Sequence, residues 1–474
     1  MTQQQFSRRN FLRGVGMAGM ALGAGRRAAA AGKKPNVLFI AVDDLNDWTG
    51  CLGGHPDAKT PNIDRLVGRG TLFNHAYCAA PACNPSRAAL MTGIRPATSG
   101  VYLNEQRWRD SAVLKGAITL PQHFMDHGYT ALASGKIYHG SFPDAASWDD
   151  YWPSQEKNKP GDPMPPEDQL PLNGFKRKSH FDWGPVDAPK EEMGDWQVAE
   201  WISEQLGRDF DKPFFLACGF YRPHLPWYAP REYFDKFPLD SLSMPEVPED
   251  DLEDVPAAGV KMAKPDGDHA NVLQYGQWRR AVQAYLACIN FVDDCLGRVV
   301  DALDQSAYRD NTIVVLWSDH GWHLGEKLHW RKFSLWEEAT HNMLAFVAPG
   351  ITDAGGRCDA PVNLLDIYPT LCELAGLPVR EELEGMSLAP LLRDPAKNWE
   401  IPALTTHGKE NHTVRSARWR YIRYADGSEE LYDHDRDEME WKNLAGDPEY
   451  ASVKAAHAQW LPKKNVPYDP PRKK

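Results

Sequence analysis

Residues 36–44 read NVLFIAVDD, and residues 312–320 read TIVVLWSDH. Each is a nearly unbroken apolar run that ends in carboxylates. A strand buried on both faces of a parallel sheet has this texture, because helices cover both faces and no position must be polar. Strands and helices alternate around these two runs. Thr60 and Pro61 open a helix as cap and first-turn residue. Short helices are predicted over 86–92 and 120–127, and strands over 129–133, 213–221 and 343–347. Residues 278–303 have the period of a long amphipathic helix, and 363–374 close the series as another. This alternation predicts a doubly wound α/β sheet. Ligands bind such sheets beyond the carboxyl ends of the strands, so Asp43, Asp44, Asp319 and His320 are expected at one sheet edge.

The chain has 474 residues, of which 42% are hydrophobic and 25% charged, and a net charge of −12. That is the composition of a globular protein with ample material for a core. No run of about 18 apolar residues suggests a membrane span. The acidic balance disfavours a general nucleic-acid binder. Residues 1–32 read as a twin-arginine export signal: Ser7-Arg8-Arg9-Asn10-Phe11-Leu12, a weakly apolar stretch, then small residues suited to cleavage. This predicts a periplasmic or secreted protein that uses the twin-arginine export machinery. The main domain is expected over 33–395. A smaller C-terminal α+β subdomain is expected over 396–474, with antiparallel strands at 412–424 and 429–432 and a terminal helix. Residues 144–195 and 236–271, rich in Pro, Asp and Gly, read as long surface loops.

Three carboxylates at one sheet edge repel one another, and a hard cation such as calcium or magnesium relieves them. Cys83-Asn84-Pro85-Ser86-Arg87 places a thiol at the mouth of a helix, where free amides and the helix dipole favour a thiolate or bind an oxyanion. Arg87 adds a fixed cation. Lys136 and His139 follow a strand and offer a cation and a proton shuttle. Arg222-Pro223-His224 follows another strand, and Lys332 follows His320, His323 and His329. Three histidines also suit zinc, but the neighbouring Asp cluster prefers a harder ion. No Cys pair has CxxC spacing. Cys218, Cys288 and Cys295 read as core residues.

These motifs resemble a known family. Cys83-x-Pro85-x-Arg87 is similar to the maturation signature of the type I, formylglycine-dependent sulfatases. Residues 128–139 resemble the second family signature, and Glu430-Leu431-Tyr432-Asp433 with Asn443-Leu444 the C-terminal element. The likeness spans roughly residues 35–445. Asp319-His320, the Arg-Pro-His-Leu-Pro stretch around His224 and the stretch from Trp330 to Ser334 resemble the iduronate-2-sulfatase branch. Ala82, Asn84 and Ala131 depart from the usual pattern.

The resemblance implies an alkaline-phosphatase-like fold. It implies that a formylglycine-generating enzyme oxidises Cys83, so that the aldehyde hydrate becomes the nucleophile. It implies that Asp43, Asp44, Asp319 and His320 hold a calcium ion together with the modified Cys83. Arg87 would steady the hydrate, and Lys136 and Lys332 would grip sulfate oxygens. His139 would act on the second hydroxyl, and His224 on the bridging or a sulfate oxygen. A sugar alkoxide leaves poorly, so a general acid is needed, with His224 or Lys332 as candidates. The implied substrate is a sulfated carbohydrate bearing a sulfated uronic acid or hexose. Trp108, Trp148, Trp152, Trp183 and Trp196 could stack on sugars, but packing of loops is the favoured reading. A phosphonate or phosphodiester hydrolase, a two-zinc phosphatase and a non-catalytic glycan binder are the rival readings.

Overall fold

The structure, a computed structural model, describes residues 34–471; the expected export signal lies outside them. In chain order the main elements begin with β1 (Asn36–Asp43), α1 (Pro61–Val67), β2 (Thr71–Phe73), α2 (Cys83–Thr92) and α3 (Leu120–Asp126). There follow β3 (Thr130–Gly135), β4 (Asp150–Trp152), α4 (Gly194–Leu206), β5 (Phe214–Pro223) and α5 (Trp278–Gln305). Then come β6 (Thr312–Ser318), β7 (Leu344–Val347), β8 (Gly356–Cys358) and α6 (Ile367–Leu374).

These strands form an 8-stranded sheet in the order β8-β2-β7-β6-β1-β5-β3-β4. β1 is central and pairs in parallel with β5 and β6. β7 alone runs antiparallel to both of its neighbours. All eight residues of β1 are buried. Leu38, Ile40 and Val42 enter a core shared with α4 and α5, while Val37, Phe39 and Ala41 enter one shared with α2, α3 and α6. Alternate side chains thus supply two cores, which is why the run has no polar position. Each large side chain buried this way contributes about 1.5–3 kcal/mol.

Beyond the sheet lies an antiparallel sheet of four strands, β9 (Ala403–Thr406), β10 (His412–Arg415), β11 (Trp419–Arg423) and β12 (Glu429–Asp433), followed by α7 (Ala451–Ala458). The stretch 412–424 therefore divides into two strands, and β9 has no counterpart in the sequence reading. β9 is stitched to the main body: Thr406 N donates to Ala79 O at 2.9 Å and Thr405 Oγ1 to Cys78 O at 2.5 Å.

The stretch 144–195 is more ordered than a surface loop. It holds the edge strand β4, and Trp183–Val186 pairs in parallel with Trp227–Pro230. Residues 236–271 include a helix, Ala257–Ala263. The loop tryptophans pack these segments down. Trp108, Trp148, Trp183 and Trp196 are buried. Trp108 stacks on Tyr138 at 5.4 Å, and Trp152 on Trp201 at 6.4 Å. All eight cysteines are free thiols. No helix among the described residues is long and apolar enough to cross a membrane.

Candidate active site

Both carboxylate pairs reach one point. β1 ends at Asp43, and Asp44 turns out of the strand with φ at 60°, a region few residues other than Gly adopt. Tyr285 of α5 braces the turn: its hydroxyl donates to Asp44 O at 2.7 Å and accepts from Asn46 N at 3.0 Å. Asp44 N donates to Asp319 Oδ1 at 3.1 Å, tying the end of β1 to the residue after β6. α2 begins at Cys83, directly after the extended Ala82. Ser86 Oγ donates to Asp319 O at 2.6 Å and docks the first turn of α2 on the same strand end.

One ligand atom from each of Asp43, Asp44, Cys83, Asp319 and His320 lies within 4.8 Å of the others, and all five residues are buried. His320 Nδ1 donates to Gly321 O at 3.0 Å. That leaves the Nε2 lone pair facing the cluster, 3.3 Å from both Cys83 Sγ and Asp44 Oδ1. Asp44 Oδ2 is buried without a hydrogen-bond partner. Converging carboxylates with an unfilled acceptor fit a hard divalent cation.

Three fixed cations face the three carboxylates. Arg87 is wholly buried and donates to Asp43 Oδ1 at 2.9 Å, to Asp319 Oδ2 at 2.8 Å and to the carbonyls of Lys136 and Ile137. Lys136 Nζ pairs with Asp43 and lies 3.7 Å from Cys83 Sγ. Lys332 Nζ lies 2.6 Å from Asp44 Oδ1 and 3.1 Å from Cys83 Sγ.

Burial would raise Asp43, but Lys136 and Arg87 outweigh it and hold the carboxyl well below the usual range. Asp44 is raised by burial, with Asp43 and Asp319 adding to it against Lys332. Lys136 and Lys332 stay firmly charged despite burial, through Asp43 and Asp44 respectively and the thiol. The expectation of a thiolate at Cys83 is overturned. Burial pushes this thiol up, and Lys136 and Lys332 do not offset it. The unmodified side chain is a covered, protonated thiol rather than a ready nucleophile.

Two histidines stand at the rim. Burial, reinforced by Lys136, pushes His139 down to about 3, and its buried Nδ1 has no partner. His224 Nδ1 donates to Leu225 O at 2.6 Å, and Nε2 lies 3.8 Å from Asp44 Oδ2. Burial, with Lys136 and Lys332, keeps His224 neutral. The remaining two histidines of the zinc reading lie apart: His323 bonds Ser334 and His329 bonds two carbonyls. A cavity of about 350 Å³ between Arg107, Trp108, Phe142, Asp144 and Glu156 borders His139 through the Phe142 ring, 5.7 Å away.

The sequence places Arg222 beside His224 but gives no sign of Asp162, Asp195 or Tyr221, which help to hold it. The buried Arg222 guanidinium donates to Asp162 Oδ2 at 2.9 Å, to Tyr228 O at 2.8 Å and to His224 O at 3.3 Å. Asp195, at the start of α4, accepts from Tyr221 N and Arg222 N, both at 2.8 Å. The Tyr221 ring lies 4.7 Å from that of His224 and 5.2 Å from Lys136 Nζ. No local pattern could reveal Asp162, because its partner is 60 residues away.

The family model described as Sulfatase matches residues 35–377. The chain belongs to the sulfatase family. It is a hydrolase of sulfuric esters. A second model, described as N-sulphoglucosamine sulphohydrolase, C-terminal, matches residues 325–466. A sulfatase of Formosa agariphila is 42% identical over 453 residues, 92% of this chain and 88% of that protein. Iduronate 2-sulfatase of Homo sapiens is 32% identical over 410 residues, 76% of this chain and 72% of that protein. A solved structure of a 2-O GAG sulfatase superposes with a TM-score of 0.70 at 25% identity, over 90% of this chain and 91% of its own.

Proposed function

We propose that this sulfatase removes a sulfate monoester from a sulfated uronic acid or hexose, with Cys83 converted to formylglycine and a calcium ion bound beside it. The observation that carries the reading is the meeting of Asp43, Asp44, Asp319 and His320 with Cys83 at the start of α2. The iduronate 2-sulfatase likeness favours a uronic acid, and the 2-O GAG sulfatase likeness a glycosaminoglycan.

Asp43, Asp44, Asp319 and His320, with the modified residue 83, would hold calcium, which supplies positive charge to a sulfate oxygen. The aldehyde hydrate supplies two hydroxyls on one carbon, one to attack sulfur and one through which sulfate is later expelled. A plain Ser would stop at a stable sulfate ester.

Lys136 and Lys332 bracket the position of Cys83 Sγ, where they can neutralise sulfate oxygens that otherwise repel a nucleophile. Arg87 orients Asp43 and Asp319 and steadies the modified side chain. His139, neutral and with a free ring nitrogen, suits a base for the second hydroxyl. Of the two general-acid candidates, Lys332 carries a proton, whereas His224 presents a lone pair. Lys332 is therefore assigned to the leaving alcohol, and His224 to orienting the ester.

The reading also includes export by a twin-arginine signal over 1–32, a catalytic domain over 33–395 and a formylglycine-generating enzyme as partner. Two measurements test it together: peptide mass spectrometry on the Cys83 fragment from the native host, and sulfate release from sulfated uronic acids. An aldehyde at residue 83 with sulfate release supports the reading. An unmodified Cys83 in active protein overturns the formylglycine mechanism. Faster cleavage of phosphonate esters than of sulfate esters overturns the substrate class.

A further inference from the structure

Resting on the reading above, we infer that the loop from Phe175 to Phe181 is a docking lip for acidic groups of a longer saccharide chain, beyond the sugar that loses its sulfate.

The stem of this loop is locked. Asp182 accepts from Leu172 N at 2.9 Å and Asn173 N at 2.8 Å. The buried Asn173 donates to Phe181 O at 2.7 Å and accepts from Phe175 N at 3.0 Å. Both ends are pinned by rings: Phe175 lies 4.9 Å from Tyr275, and Phe181 lies 5.1 Å from Trp183 and 6.0 Å from Trp330. Between them Lys176, Arg177 and Lys178 are exposed. The framework is rigid, and what it holds out is charge.

The base of the loop packs on residues next in sequence to two site residues. Trp330 and Arg331 directly precede Lys332. The Arg331 guanidinium lies 4.4 Å over the Phe181 ring, and its Nη1 is 3.1 Å from His180 Nε2. Trp183 also packs on Trp227 at 5.6 Å, and Trp227 Nε1 donates to Pro223 O, beside His224, at 2.6 Å. The base of the loop therefore rests on neighbours of both Lys332 and His224. Arg331 has φ at 78°, an unusual conformation for a residue with a side chain.

Acids only partly neutralise this lip. Asp268 pairs with Arg331 at 2.5 Å, and Glu167 faces Lys178 at 3.6 Å. Lys176 and Arg177 make no ion pair among the described residues. The chain as a whole carries −12, so a local excess of cations runs against the global balance. The cavity next to Phe142 sets Arg107 and Arg109 against Asp144 and Glu156, with Arg109 paired to Asp144 at 2.7 Å, and carries no excess of cations. The basic excess thus lies on the Lys332 side. A solvated loop needs neither a locked stem nor this placement. A polyanion with carboxylates or further sulfates fits both, through attraction at the rim that speeds capture.

The test is Lys176→Ala, Arg177→Ala and Lys178→Ala combined in the matured, full-length enzyme. The substrates are a sulfated uronate tetrasaccharide and 4-nitrophenyl sulfate. We expect KM for the tetrasaccharide to rise about tenfold at low salt with kcat unchanged, because rim charges act on encounter. Hydrolysis of the aryl sulfate should stay at the wild-type rate, and the difference in KM should vanish at about 1 M salt, where the screening length is about 3 Å. An unchanged KM for the tetrasaccharide, or an equal loss on both substrates, overturns the docking lip alone. Wild-type enzyme that releases sulfate from neither substrate overturns the sulfatase reading beneath it as well.

Discussion

Arg87 Nε and Asp319 Oδ2 meet at 2.8 Å, and neither side chain is exposed. The same guanidinium reaches Asp43 Oδ1 at 2.9 Å, Lys136 O at 2.6 Å and Ile137 O at 2.9 Å. One planar cation thus ties together the ends of β1, β3 and β6.

Arg87→Met removes both the charge and the fork, leaving the Asp43 and Asp319 carboxylates and two carbonyls without their partner in a buried place. Breaking a buried ion pair on one side costs about 3–5 kcal/mol. Urea unfolding should show a loss of that size, together with loss of sulfate release. A stability within 1 kcal/mol of wild type, in the same extrapolation, would mean that the strand ends hold without the fork.

Lys332→Ala removes the ammonium that lies between Asp44 and Cys83. If Lys332 meets the charge that develops on the ester, kcat/KM should fall about 10²–10³-fold, the usual loss for one such donor. Steady-state kinetics on a sulfated sugar would read this. Lys332→Arg should recover little, because the broader guanidinium does not act as a point charge. Near-normal turnover in Lys332→Ala would remove it from the reacting centre.

Binding of a divalent cation at Asp43, Asp44 and Asp319 relieves their repulsion, so it should stabilise the fold. At calcium 100-fold above Kd the gain is about 2.7 kcal/mol. Thermal unfolding with calcium, with magnesium and after chelation would show the order, calcium highest. Asp44→Asn should abolish the calcium-dependent shift. An identical melting curve in all three conditions would mean that no such ion binds.

His412 in β10 is buried, with Nδ1 bonded to Thr406 Oγ1 at 2.9 Å, and burial pushes it down to about 4. Its folded value lies below the unfolded value of 6.5. Between these values the unfolded chain takes a proton that the folded chain refuses. The stability it supports is therefore whole above pH 6.5 and lost as pH falls toward 4. Asp293, raised to about 6, and Glu326, raised to about 7, work in the opposite sense, so the effect must be read as a difference. Relative to His412→Gln, wild type should lose about 1.4 kcal/mol per pH unit in this window, by chemical denaturation. Parallel pH curves for the two proteins would place the histidine's titration elsewhere.

The sheet was legible because burial on both faces leaves an imprint that needs no context: β1, β5 and β6 lie within a residue or two of where their apolar runs suggest. The metal-type cluster was legible for a related reason, since carboxylates at strand ends converge once the strands are parallel. Other features depend on partners far along the chain. β9 pairs with its neighbour β10, but it is fixed to the main body by bonds to Cys78 and Ala79, more than 300 residues away. Trp183–Val186 is extended because Trp227–Pro230 pairs with it. The Cys83 thiol was misjudged because helix-dipole reasoning carries no information on depth, and depth dominates its ionisation.

Cys83 is only 1% exposed, and Asn84, Ser86 and Arg87 are buried with it. A modifying enzyme would have to reach this segment before α2 packs, since the folded chain leaves almost none of it exposed. On the proposed maturation, oxidation of Cys83 would have to precede folding, because the finished structure covers the thiol. Any chain that folds first keeps its thiol, with the finished architecture around it. Two populations with one shape would then coexist in a preparation, so the fraction converted during synthesis, rather than the fraction folded, would set the specific activity.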